Sequence, residues 1–192
     1  SLEGISHLRS FRMVSFEKDM KITYPTLVGL EIFPKSKETY KESIIGHIDS
    51  TRTAMGTRKL KTIFQAPMRD EERIQQRLDT TEFFMSDYQL LQEIRSSLYE
   101  IRDIERIMAK VSTGKVNGPD LINLANSNIA FELIMTSLDK MPKEALDNFT
   151  PTEKKKLTHL QTQILNTIND TIGAALEKGN LIKDGCNSTR DK

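Results

Sequence analysis

The sequence predicts a mainly α protein: an elongated multi-helix bundle with a short β segment at its N-terminus. Three observations support this. Apolar residues recur at three-to-four spacing from Tyr40 to Ile172. Helix-starting chemistry precedes most of these periodic stretches: Asp or Thr caps, acids in the first turn, or an early Pro. Only Met20, Ile22 and Tyr24 alternate with polar neighbours, the period of a strand. Composition agrees. Of 192 residues 37% are apolar, about 40% if Gly is counted in place of Tyr, against a typical ~45–50%. Charged residues make up 29%, against a typical ~25%. The pairing suits a surface-rich helical chain.

Residues 5–33 read as extended. Phe11, Met13 and Val14 form a short apolar stretch before a turn at Phe16–Asp19, and Pro25 marks a strand end. Thr26 is the expected cap of a single helical turn from Leu27 to Ile32. From Tyr40 the period is helical, with Ile44, Ile45 and Ile48 in step. Asp49, Ser50 and Thr51 break it with capping chemistry. Met55, Leu60, Ile63 and Phe64 mark the next helix. Gly56 within it costs about 1 kcal/mol against Ala and predicts a close backbone neighbour. Pro67 ends that helix, and Asp70 caps the following one, with Glu71 and Glu72 in the first turn where the helix dipole favours acids. Ile74, Leu78, Phe83 and Phe84 run down it.

Asp87 restarts the chain, and Leu90, Leu91, Ile94, Leu98 and Ile101 follow at helical spacing. Ile104, Ile107, Met108 and Val111 mark a further helix after Asp103. Residues 112–118 are polar and Gly-bearing, a loop. Pro119 at a first helical position opens a long helix with Leu121, Leu124, Ile129, Leu133 and Leu138 inward. Pro142 ends it. The last long helix starts at Thr150-Pro151-Thr152-Glu153 and carries Leu157, Leu160, Ile164, Leu165, Ile168 and Ile172. Gly179 closes a final turn, and 180–192 is expected to be extended or disordered.

Several function classes are excluded. No run of 18 apolar residues exists to span a membrane, and no secretory leader is visible. One cysteine, Cys186, permits no internal disulfide, and His7, His47 and His159 are too scattered for a metal site. A net charge of +1 argues against a dedicated polyanion binder. Residues 1–65 carry 11 basic and 7 acidic groups, 66–109 carry 6 and 10, and 110–192 carry 11 and 10.

Local motifs point to structure rather than catalysis. Thr113-Gly114-Lys115 lacks the first glycine and the Ser/Thr of a phosphate loop, so an inter-helix loop is expected. Asp103 and Glu105, two apart on a helix, point to different faces and do not chelate one ion together. Asp103 fits an N-cap, and Glu105 fits an ion pair with Arg102 or Arg106. Lys154, Lys155 and Lys156 fan around a helix as a solvated face. No nucleophile elbow, zinc-protease motif or Gly-rich dinucleotide loop occurs. The residues by themselves lead to a mainly helical domain without catalytic machinery.

One stretch says more. Asp49, Thr51, Thr53, Met55, Gly56, Arg58 and Leu60 follow D-x-T-x-T-x-M-G-x-R-x-L, a pattern that resembles the core (lever) domain signature of the MutS DNA mismatch-repair family. The continuation agrees in order: Pro67, Asp70, Ile74, Arg77, Leu78 and Asp79, then Asp103-Ile104-Glu105-Arg106-Ile107, then Pro119-Asp120-Leu121. Upstream, Leu30-Glu31-Ile32 matches, with Gly29 where the family usually has Asn.

The resemblance implies the end of a connector domain at 1–24, core-domain helices over 25–179, and a segment toward the clamp at 180–192. It implies long lever helices, 119–141 and 151–173, that couple an ATPase domain to a DNA clamp, both outside these residues. The segment itself is then non-catalytic and holds no cofactor, while ATP and Mg belong to the parent protein. Implied partners are mismatched double-stranded DNA, a second family subunit, and the ATPase and clamp domains of the same chain. The implied location is cytoplasmic in a bacterium and nuclear in a eukaryote. On this view the shared motif residues are packing devices, with Arg58, Arg77 and Arg106 bridging acids such as Asp49, Asp79, Asp103 and Glu105. DNA-contacting residues are not marked by the motifs. A free-standing helical adaptor for protein partners, and a metal-dependent nuclease using Asp103 and Glu105, remain alternatives.

Overall fold

The computed structural model describes residues 19–139, 151–169, 181–183, 185 and 186, with backbone alone for 151–154. The expectations at Phe11–Phe16, Pro142, Thr150, Ile172 and Gly179 lie outside the described residues. The helices are α1 (Tyr24–Gly29), α2 (Ile44–Ile48), α3 (Ala54–Gln65), α4 (Glu71–Ser86), α5 (Tyr88–Glu100), α6 (Ile104–Ser112), α7 (Gly118–Leu138) and α8 (Pro151–Thr167), with a 3-10 turn at Tyr40–Glu42. The chain is mainly α, as its periodicity requires. It divides into two compact units, Ser1–Ile48 with Lys61–Gln75, and Asp49–Leu60 with Gln76–Lys192.

In the first unit the expected β segment is not a strand. Among the described residues it is one antiparallel bridge, Asp19 to Met68, flanked by N–H donation from Met20 to the Pro67 carbonyl (2.7 Å) and from Ile22 to Gln65 (3.1 Å). Pairing stops because Thr23 and Pro25 start a helix. Thr23 Oγ1 accepts from the Thr26 N–H at 3.4 Å, and Pro25, which has no N–H to lose, sits in the first turn. Thr23, not Thr26, is therefore the cap. Leu27 is fully buried, with Phe33 and Ile45 nearby in accessibility. Past α1, Glu31 adopts φ +56, and its carbonyl accepts from Ile44 N–H at 2.9 Å. The close backbone approach expected at Gly56 occurs instead at Gly46: a Cβ there would lie 1.8 Å from the Tyr40 carbonyl oxygen.

The second unit has two apolar clusters. Leu90, Ile94 and Ile101 meet Ala130 and Ile134, with Met55, Phe83, Phe84 and Phe131 packed around them. Ala125, Ile164 and Ile168 form the other, bordered by Leu121, Leu124, Leu165 and Leu181. α7 is thus packed on two sides, by α5 and by α8. This revises its expected inward face. Leu121, Leu124 and Leu138 are half-buried, whereas Ile129 and Leu133 are exposed and Ala125, Ser127, Ala130 and Ile134 are buried. Small residues let helix backbones come close on both flanks, so leucines alone do not locate the contact. Ile74 and Leu78 on α4 are exposed.

α8 ends at Thr167. Ile168 forms an antiparallel bridge with Ile182, and Lys183 Nζ donates to the Leu165 carbonyl at 2.7 Å. Leu181 lies so close to Gly118 that a Cβ on that glycine would meet its Cδ1 at 2.2 Å. This short extended segment fixes the end of α8 against the start of α7.

Candidate functional site

The signature residues assemble around the starts of α3 and α6, within the second unit. Asp49 Oδ1 accepts from the backbone N–H and the hydroxyl of Thr51, at 3.0 and 2.6 Å, a local Asx turn. Thr51 Oγ1 lies 2.7 Å from Thr57 Oγ1. Thr53 Oγ1 accepts from the Gly56 N–H at 3.0 Å and so caps α3. A Cβ on Gly56 would meet Thr53 Oγ1 at 3.1 Å and Thr51 Cβ at 3.3 Å. Gly56 therefore makes room for two threonine side chains, not for a neighbouring backbone.

One turn on, Arg58 spans to α6. Its Nη1 and Nη2 donate to Asp103 Oδ2 and Oδ1 at 2.9 and 2.7 Å, and its Nε donates to Glu105 Oε2 at 2.8 Å. A planar guanidinium fits this forked arrangement, which gives such pairs geometric specificity. Asp103 also caps α6 by accepting from the Arg106 N–H at 3.2 Å. The Arg58 guanidinium, foremost, holds the Asp103 carboxyl below the usual carboxylate range, against an opposing effect of burial. Hydrogen bonds donated to Asp103, and then to Glu105, raise the Arg58 pKa in return.

Asp103 and Glu105 thus share one partner despite their spacing. Asp103 precedes the helix with ψ 82, so helical periodicity does not govern its side chain. Glu105 pairs with Arg58 rather than Arg102 or Arg106. The Arg102 N–H donates instead to Ser127 Oγ at 2.9 Å.

The remaining motif residues are placed apart. Met55 packs on the α5–α7 cluster, and Leu60 is half-buried. Pro67 receives the Met20 N–H, and Asp70 Oδ1 accepts from Arg73 N–H at 3.2 Å as the cap of α4. The Arg77 carbonyl accepts from the Thr81 hydroxyl. His47, His159, Lys155 and Lys156 are exposed. Among the described residues no group of three or more His, Cys, Asp or Glu is placed to hold a metal ion.

Thr113-Gly114-Lys115 does not fit a nucleotide phosphate. Gly114, at φ +67, donates its N–H to Val111, and Lys115 donates its own to Lys110 at 2.9 Å. These are the two bonds of a Schellman helix end, so the amides a phosphate needs are already engaged. Sequence reasoning missed two other links. Lys110 Nζ binds both Asp120 oxygens at 2.7 and 2.8 Å, while Asp120 and Asn117 form a capping box. The Asn117–Asp120 spacing signals that box; nothing in the spacing identifies Lys110.

Fold and site together define a mainly helical domain in which one arginine ties two helix starts. A family model described as MutS domain III matches residues 25–190. The chain is 34% identical to the DNA mismatch repair protein MutS of Fusobacterium nucleatum over 90% of its own length and 19% of that protein. It is 30% identical to the proteins of the same name from Bacillus cereus and Bacillus thuringiensis, over 98% of its length and 21% of theirs. The chain belongs to the MutS family, to its domain III, and spans about one fifth of the length of these relatives.

Proposed function

We propose that these residues form the lever part of a MutS-family mismatch-repair ATPase, coupling an ATPase domain to a DNA clamp without performing catalysis. Residues 1–24 then end a connector domain, 25–179 are core helices, and 180–192 lead toward the clamp. ATP and Mg act elsewhere in the parent chain. Mismatched duplex DNA and a second family subunit are its partners, in the cytoplasm of a bacterium or the nucleus of a eukaryote. Among the described residues no helix is long and apolar enough to cross a membrane.

The observation that supports this most is the domain III match over nearly the whole chain. The physical rationale is stiffness. α7 has 21 residues, which is about 30 Å of helix. It is packed on both sides, and dense interiors transmit displacement. Coupling between sites needs such an element to have two arrangements with different ligand affinities. The test is a chimaera in which residues 25–190 replace the matching segment of the Bacillus cereus protein. Restoration of a low mutation rate in a strain lacking that protein is expected. A stable chimaera that binds mismatches yet leaves the rate high contradicts the lever role.

A further inference from the structure

Arg52 precedes α3, and Arg95 lies midway along α5. With Gln92, Ser96, Tyr99 and Glu100 they line one open recess of about 310 Å³, within the second unit. Gln92, Arg95, Ser96 and Tyr99 follow at i, i+3, i+4 and i+7, so one face of α5 supplies them. Arg58, in the first half of α3, is engaged by two carboxylates. Arg52 and Arg95 are not: among the described residues neither guanidinium has an ionic or hydrogen-bonding partner. Arg95 is half-buried, and Tyr99 is 66% exposed.

The lining is rich in donors. Two guanidinium groups, an amide, and Ser and Tyr hydroxyls face one carboxylate, Glu100, for a net charge of +1. A guanidinium matches a planar oxyanion bidentately. A nucleic-acid duplex fits poorly, because residues 66–109, which include α5, carry 10 acidic against 6 basic groups and repel its closely spaced phosphates. A short acidic peptide need place only one carboxylate between the two arginines, with its other charges directed to solvent. Arg and Tyr are also the residues that concentrate binding energy at protein interfaces.

We propose that this recess docks an Asp or Glu side chain of an acidic segment of a partner polypeptide. Arg52 and Arg95 hold its carboxylate, and Tyr99 covers its stem. The assignment is independent of the mismatch-repair role.

The test is NMR titration of the 192-residue chain with blocked tetraglutamate, blocked tetraglutamine and a short DNA duplex, at matched ionic strength. Tetraglutamate is expected to shift the Arg52 and Arg95 side-chain N–H resonances and the Ser96 amide, and tetraglutamine is not. Arg95→Gln weakens binding about tenfold, the loss of one charge-assisted contact. The Arg52→Glu, Arg95→Glu double variant is expected to lose tetraglutamate and gain blocked tetralysine, with the dispersion of its remaining amide resonances retained, which shows that it is folded. Equal shifts with tetraglutamine, no shifts at these residues, unchanged binding by Arg95→Gln, or tighter binding of DNA at the same resonances would each overturn the proposal.

Discussion

Asp103 performs two tasks with one carboxylate. It caps α6 and receives the fork of Arg58. Because Arg58 depresses its folded-state pKa, the link to pH has a definite sign. The clasp contributes fully above the unfolded aspartate value of ~3.9 and is lost as pH falls through the lower folded value. Asp120, lowered chiefly by Lys110, behaves alike. Arg58→Gln is therefore expected to lower the urea midpoint at pH 7 and to have a clearly smaller effect at a pH below the folded-state value, where Asp103 is protonated in both states. Equal losses at both pH values would show that Arg58 acts through packing instead. The sequence made Arg58, Asp103 and Glu105 candidates for one bridge, because their charges and motif positions were plain. It did not join them, since a helix-face argument separates Asp103 from Glu105, and that argument fails for a residue outside the helix.

At the scale of elements, α5 was legible and α7 was not. α5 contacts the core on one side, so Leu90 and Ile94 stand out by period and are buried. α7 contacts neighbours on two sides, and its buried positions include Ala125, Ser127 and Ala130, which no leucine pattern reveals. The short strand failed for a different reason: Thr23 and Pro25 offered a helix start that outweighed alternation over five residues. Ser127 shows what holds α7 to the α5–α6 junction. It is fully buried, accepts from Arg102 N–H and donates to the Asn123 carbonyl at 2.6 Å. Ser127→Ala leaves the Arg102 N–H without its acceptor and is expected to cost about 1–3 kcal/mol, measured by chemical denaturation. A loss below a few tenths would mean that water replaces the hydroxyl.

For the whole molecule, the property that the proposed lever role requires is transmission. The family membership is carried by motifs spread from Leu30 to Leu121, which is why the sequence alone reveals it. Those motifs prove to be caps, turns and one inter-helix clasp, features that set helix directions. A domain that moves force needs such fixed joints, since a loose one dissipates displacement locally. The most direct measurement uses the full-length parent protein carrying Arg58→Gln. Its basal ATP hydrolysis and its ATP-triggered release of a mismatched duplex are followed together by stopped flow. The lever account predicts near-normal hydrolysis with slowed release, the two ends working but poorly connected. Release at the normal rate from a folded variant, or loss of hydrolysis in equal proportion, would contradict it.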